Sequence, residues 1–407
     1  MTRKLRATTI GVLALAIFGC AAQAQTFQVV HYFTGGQDGA YPSGALTLDR
    51  AGHIYGTAQS GGIANNGTVF ELTHPRSSWI FNLIYQFRGG NDGSSPSPGV
   101  VFGPDEKLYG TTFFGGEDNG GGTAYALTQP PSVCKSTTCF WSEKVIHTFG
   151  GSSDGSNPGY ATLLFDQAGN IYGTTQGGGS AGAGTAYELT KSGNMWTENI
   201  LYSFLGPPND GFQPDAGLIF DSAGNLYGTT ATGGASGDGT AYELTPSNGS
   251  WIESGLHSFS NNSVGYYLYA PLVLDQAGSL YGTTWISGSV FEITRTNGQW
   301  NATPIYTAPH FGSLAGLTMD QAGNFYGVSG VGTNGGNDSG PGFVFKLTHS
   351  NGNWTLTDLH DFNGSDGKSP IGPVTLDAAG NLWGTAEFGG QGSCNPGCGV
   401  VWEITAQ

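Results

Sequence analysis

Positive charge is scarce in this chain. Lys and Arg together number 13 of 407 residues, against 29 Asp and Glu, for a net charge of −16. An acidic surface repels phosphate, which excludes nucleic acid as a partner and disfavours anionic lipid. A neutral or cationic ligand suits it better. Met occurs only 3 times, and no long stretch repeats apolar residues at helical spacing, so a helical bundle is excluded. Beyond the first two dozen residues no apolar run is long enough to span a bilayer, and no transmembrane segment is expected in the mature chain. Ser-His-Asp, HExxH and nucleophile-elbow patterns are also missing, which favours binding over catalysis.

Glycine, by contrast, is abundant, at 71 of 407 residues or about 17%, against a usual ~7%. No every-third-residue period accompanies it, so collagen is excluded. Hydrophobic content of 38% and aromatic content of 12% exceed what a disordered chain carries. Many Gly, Thr, Tyr and Phe residues with few charges predict an all-β protein rich in turns.

The first residues predict export. Arg3, Lys4 and Arg6 precede a short apolar stretch, Ile10 to Phe18, which is too short to cross a membrane but suits a signal peptide. Ala22-Gln23-Ala24 places cleavage before Gln25, giving a leader of residues 1–24 and a mature chain of 25–407. The alternative is a lipoprotein anchored through Cys20, since Ile17-Phe18-Gly19-Cys20 resembles a lipobox. The expected address is therefore periplasmic or extracellular. Loss of the leader leaves 10 Lys and Arg against 29 acids, or −19.

In an oxidising compartment the remaining cysteines fall into two local pairs, Cys134 with Cys139 and Cys394 with Cys398. Two short-range disulfides are expected. Zinc is the rival reading, but no His stands at ligand spacing beside either pair.

Internal repetition decides the domain organisation. Asp-x-x-Gly-x-(Ile/Leu)-Tyr-Gly-Thr recurs with its aromatic at Tyr55, Tyr109, Tyr172, Tyr227, Tyr281, Tyr326 and Trp383, at a mean spacing near 55 residues. Each repeat predicts four short strands, a to d. In one copy these are Gly217–Phe220, Leu226–Thr230, Gly239–Thr245 and Trp251–Phe259. Four strands per unit predict a seven-bladed β-propeller of four-stranded blades. The last repeat stops after strand c at Gly399–Thr405, while Phe27–Phe33 aligns with the strand d segments Asn82–Phe87 and Glu143–Phe149. The N-terminal strand is therefore expected to complete the last blade and remove the open edge.

The Asp-x-x-Gly-x-x-Tyr-Gly-Thr-Thr run, the Gly-Thr-x-(Phe/Tyr)-Glu-Leu-Thr strand and the Gly-Gly-x-Asp-Gly-x-x-Pro loop resemble the GloVer (Gloeobacter/Verrucomicrobia) tandem repeat of choice-of-anchor exported proteins. The resemblance covers residues 26–405. It implies a bacterial exported propeller and no particular reaction.

Residues that recur in every blade read as architecture. Asp and Gly of Asp-x-x-Gly fit a tight turn. Glu71, Glu188, Glu243, Glu292 and Glu403 in strand c give way to Ala126 and Lys346 in other copies, which marks a tolerant position. His31, His147, His257 and His360 alternate with Tyr85, Tyr202 and Tyr306 in strand d, as expected of a packing slot with one polar contact. Asp38, Asp92, Asp154, Asp210 and Asp366 recur in the d–a loop. Turn formation accounts for them; the alternative is a carboxylate ring at the mouth of the central channel that attracts Ca²⁺. No other cofactor is expected.

Departures from the repeat point to function. The fifth and sixth units replace the Asp-Gly loop with segments containing Tyr266, Tyr267 and Tyr269, and His310 and Phe311. Trp285 leads the b–c loop of the fifth unit, and Phe113, Phe114 and Phe388 stand in other b–c loops. Aromatic rings beside amides compose a carbohydrate platform. The expected function is binding or scaffolding of a glycan or an extracellular protein by a monomer. The alternative is a lyase or hydrolase acting on a polysaccharide or small molecule, with His310 as the first base candidate.

Overall fold

A computed structural model describes residues 25–75, 78–116, 120–131, 141–151, 153–160, 162–260, 264–286, 288–307, 315–330 and 340–406. Cys20, Cys134, Cys139, His310, Phe311 and the proposed leader, residues 1–24, lie outside them. Among the described residues there is no α-helix; seven four-stranded antiparallel sheets form a seven-bladed β-propeller. Blade 1 is Thr47–Leu48, Ile54–Ala58, Thr68–Thr73 and Ile80–Gln86. Blade 4 is Ile219–Phe220, Leu226–Thr230, Thr240–Ser247 and Ser250–Ser258, within a few residues of the sequence expectation.

The two chain ends share blade 7. Phe27–Tyr32 pairs with Val400–Ile404 in the register Phe27 to Ile404 and Tyr32 to Val400. Strand a of this blade also ties to blade 1, because the Thr375 hydroxyl donates to the Leu46 carbonyl at 2.7 Å. The same strand a link recurs from Thr47 to Val100 and from Thr318 to Val374, and strand b threonines make a second link to the next blade, from Thr174 to Ala216, Thr229 to Ala270 and Thr283 to Ala315.

The repeat residues have local physical causes. In the Asp49 turn the carboxylate accepts from the Ala51 and His53 amides at 2.8 and 2.9 Å, and Gly52 takes φ +82°. The Tyr55 hydroxyl donates to Asp49 and Glu71, joining turn to strand c. The glycine of Tyr-Gly-Thr answers to packing. A Cβ on Gly173 would lie 2.4 Å from the Tyr187 hydroxyl, and one on Gly384 would overlap Trp402. Strand b must be bare there so that the strand c aromatic can lie across it.

Between blades, the Phe that follows strand d meets the next strand c aromatic. Phe33 meets Phe70, Phe87 meets Tyr125, Phe149 meets Tyr187 and Phe204 meets Tyr242, with ring centroids 5.0–5.3 Å apart. These residues are fully buried, and each contributes roughly 1.5–3 kcal/mol through burial alone. Strand d carries a bulge at one place in every blade, as between Val69 and Phe70 or Ala186 and Tyr187 of the facing strand. The extra residue is Ile84 in blade 1 and Leu201 in blade 3, both buried. A bulge re-aims its neighbours. Here it turns the next His or Tyr toward the Asp of the following loop.

Candidate functional site

A cavity of about 470 Å³ lies where the inner edges of all seven blades meet. Two positions of each repeat supply much of its wall. The first follows strand b: Gln59, Gln176, Trp285 and Glu387 line the cavity from here. The second lies just before strand a: Ser43, Ser97, Tyr160, Asp215, Tyr269 and Ile371. Everything around these positions repeats, whereas they change from blade to blade.

One backbone device sets both positions. The residue before the loop proline, or before Leu268 in blade 5, adopts a left-handed conformation: Tyr41, Ser95, Asn157, Gln213, Tyr267 and Ser369 have φ between 54° and 63°. Its amide donates to the preceding blade, as from Gln213 to Ala183 and Tyr267 to Asp238. Its carbonyl accepts from the amide of the residue after strand b, as from Gln176 to Asn157, Trp285 to Tyr267 and Glu387 to Ser369. Variable side chains are thus delivered to the axis by an invariant frame.

The wall joins carboxyls, amides and aromatic rings. Asp215 is 1% exposed. One of its oxygens accepts from the Gln176 amide at 3.3 Å, and the other has no hydrogen-bond partner. Burial pushes its carboxyl up to about 7, against the opposing effect of Gln176. Burial also pushes Glu387 up to about 7. Tyr160 is shifted upward by burial and then by Asp215 and Glu387, so both acids lie within electrostatic reach of one phenol. The Trp285 and Tyr269 rings meet edge to face at 5.4 Å. Among the described residues, no Lys, Arg or His lines the cavity.

The sequence candidates divide. Tyr266, Tyr267, Tyr269 and Trp285 form one chain of ring contacts, with centroids 5.0, 6.5 and 5.4 Å apart. Only Tyr269 and Trp285 reach the cavity wall; Tyr266 pairs by its backbone with Ile286. Phe113 contacts Phe114 and Tyr160. Phe388 meets Tyr41 at 5.5 Å.

The five loop aspartates do not ring the channel mouth. None lines the cavity, and each sits beside the end of strand d, the strand farthest from the axis. Asp38 accepts from the Thr34 amide at 2.9 Å and pairs with His31 at 3.3 Å. Asp92 accepts from Tyr85, Asp210 from Tyr202, and Asp366 pairs with His360 at 3.1 Å. Asp154 accepts from the Gly150 amide at 3.0 Å. These carboxylates fold their own loops, as Asp does in tight turns.

Asp215, Glu387, Tyr160, Gln59 and Gln176 escaped the sequence reading. Their signal was available as variation at fixed repeat positions. It emerges only when repeats are aligned residue by residue, rather than searched for replaced loops.

No curated protein sequence matches the chain. Solved structures similar to it include a candidate 6-phosphogluconolactonase from Bacteroides uniformis, at 13% identity over 77% of this chain and 83% of that one, with a TM-score of 0.49. A gluconolactonase from Xanthomonas campestris has 12% identity over 74% and 82%, with a TM-score of 0.41. A protein of unknown function from Dyadobacter fermentans has 9% identity over 94% and 98%, with a TM-score of 0.46. The family model of the Gloeobacter/Verrucomicrobia repeat matches residues 14–143 and 75–288, more than half of the sequence. The same strands continue through the two blades beyond that match. The chain belongs to the Gloeobacter/Verrucomicrobia repeat family.

Proposed function

We propose that this chain is an exported binding propeller whose axial cavity takes an uncharged, hydroxyl-rich group, one sugar unit of a glycan. The observation that carries the reading is the cavity wall itself. Trp285, Tyr269 and Tyr160 offer ring faces to C–H surfaces, while Gln59, Gln176, Asp215 and Glu387 offer donors and acceptors to hydroxyls. The volume of about 470 Å³ falls within the range of small-ligand sites. A leader followed by a disulfide between Cys394 and Cys398 supports export. The test is a glycan array probed with wild type, Trp285→Ala and Asp215→Asn. Wild type is expected to select a defined glycan set, and Trp285→Ala to weaken it about tenfold, the value of one aromatic contact. Failure of wild type to retain any glycan sinks the proposal.

A hydrolase acting on the same ligand is the second reading. It is favoured by two carboxyls on the cavity wall, buried Asp215 and half-buried Glu387, each pushed up to about 7, where one acid and one base can coexist at neutral pH. It requires release of a shortened glycan with a bell-shaped pH profile, abolished in Asp215→Asn and Glu387→Gln.

A further inference from the structure

The junctions between blades differ in one respect that the repeat does not explain. In blades 2, 3 and 4 the strand c aromatic is tyrosine, at Tyr125, Tyr187 and Tyr242, and strand d carries a glutamate, at Glu143, Glu198 and Glu253. In blades 1, 5, 6 and 7 the same two positions hold Phe70 with Phe81, Phe291 with Ala302, Phe345 with Leu356, and Trp402 with Phe27. Polar residues thus come in pairs or not at all. Each glutamate faces the loop aspartate of the preceding blade: Asp92, Asp154 or Asp210.

Two of these junctions begin with a tyrosine in strand d, and its hydroxyl satisfies the aspartate: Tyr85 donates to Asp92 and Tyr202 to Asp210. The junction of blades 2 and 3 begins with His147. Elsewhere in the molecule, His31 and His360 pair with their loop aspartates at 3.3 and 3.1 Å. His147 does not. Its Nε2 is buried without a hydrogen-bond partner and lies 3.7 Å from a Glu198 carboxylate oxygen. The Glu198 side chain is only 8% exposed, and its other oxygen, Oε1, has no partner either. Leaving such atoms dry and unpaired carries their full desolvation penalty. One ligand atom each from His147, Asp154 and Glu198 falls within 4.8 Å of the others, the one such grouping of His, Cys, Asp and Glu among the described residues.

We propose that His147, Asp154 and Glu198 bind a divalent transition ion of the zinc type, which clamps blade 2 to blade 3. One imidazole and two carboxylates make a donor set for such ions. His147 and Asp154 come from the end of strand d and its following loop in blade 2, Glu198 from strand d of blade 3, so the ion adds a link to the packing and hydrogen bonds that join these blades. This site is remote from the axial cavity and does not depend on the reading given for it.

The experiment strips the full mature protein with chelator, then adds ZnCl₂, CoCl₂ or CaCl₂. Co²⁺ is expected to bind at one equivalent with d–d absorption of a low-coordinate nitrogen–oxygen site, and Zn²⁺ to displace it and raise Tm. Ca²⁺ should do neither. His147→Tyr reproduces the residue that blades 1 and 3 use at this place, so it should fold. It and Glu198→Gln are expected to weaken Co²⁺ binding by about 100-fold or more. Glu253→Gln, at the next junction, should leave binding unchanged. Absence of any cobalt spectrum in wild type, or equal binding by the His147→Tyr/Glu198→Gln double variant, overturns the proposal.

Discussion

The junctions around the ring fill one slot in three ways: aromatic, carboxylic and, at Ala302 and Leu356, aliphatic. On either side of the seam the slot is aromatic: Phe27 stacks on His360 with centroids 3.5 Å apart, and Phe81 stacks on His31 at 4.2 Å. From blade 1 to blade 4 it is carboxylic, and burial next to a second acid pushes Glu143 and Glu253 up to about 7 and Glu198 up to about 8. The contrast teaches that closure and internal junctions carry different demands. The seam lies inside blade 7, where strands Val400–Ile404 and Phe27–Tyr32 come from opposite chain ends with no hairpin between them, so it relies on strand pairing, ring stacking and burial. In the other blades strands c and d are consecutive in the chain, and three of their junctions carry buried polar groups, which are expensive unless satisfied.

Breaking the seam should have the largest effect. Removing residues 25–33 leaves strand Val400–Ile404 unpaired on one edge and deletes Phe27, His31 and Phe33. Unfolding in urea should lose its single cooperative transition, because no blade buries its faces alone. A variant that unfolds at the wild-type midpoint would show that the seam is dispensable.

The second test converts a polar junction into an aromatic-type one. Tyr242→Phe with Glu253→Leu gives blade 4 the apolar pairing seen elsewhere. Glu253 moves from 4.5 to about 7 on folding. A carboxyl whose folded value is raised stabilises fully below its unfolded value, and that stability is lost as pH rises through the folded value. The wild-type junction should therefore weaken between about pH 4.5 and 7, by less than roughly 3 kcal/mol because solvent screens this half-buried carboxyl. The double variant should be more stable than wild type at pH 8, and the advantage should shrink at pH 4. A gap that does not change with pH would mean that Glu253 does not titrate on folding.

The smallest effect is expected from the disulfide. Cys394 and Cys398 close a loop of four residues' separation against Gly35, at the end of the N-terminal strand. Replacing both by Ala should cost about 2 kcal/mol through loop entropy, read as a modest fall in urea midpoint. A loss as large as that of the 25–33 deletion would make the disulfide, rather than strand pairing, the true seam.

Much of this architecture was legible because its causes are local. The Asp49 turn, the Gly52 conformation and the alternation of strands follow from a few adjacent residues, and they recur often enough to count the blades. The strand Phe27–Tyr32 could be placed in blade 7 because it carries the same pattern as other d strands. The polar contact expected of the strand d His or Tyr is present for His31, Tyr85, Tyr202 and His360. His147 and His257 are exceptions, since Nε2 of each has no partner. The placement of the loop aspartates at the channel mouth failed for a geometric reason. The d–a loop crosses from the rim to the axis, and the Asp stands at its outer end, whereas the residue after the proline stands at its inner end.

What the sequence determined by itself is the unit and its number: turn chemistry and alternating burial are short-range, and each repeat states them again. Which side chains meet was decided only by the tertiary structure. Asp215 and Glu387 look onto one cavity from blades 4 and 7, and Glu198 reaches His147 across a blade boundary. Ring closure brings them together, and no local pattern in the chain encodes a neighbour reached that way.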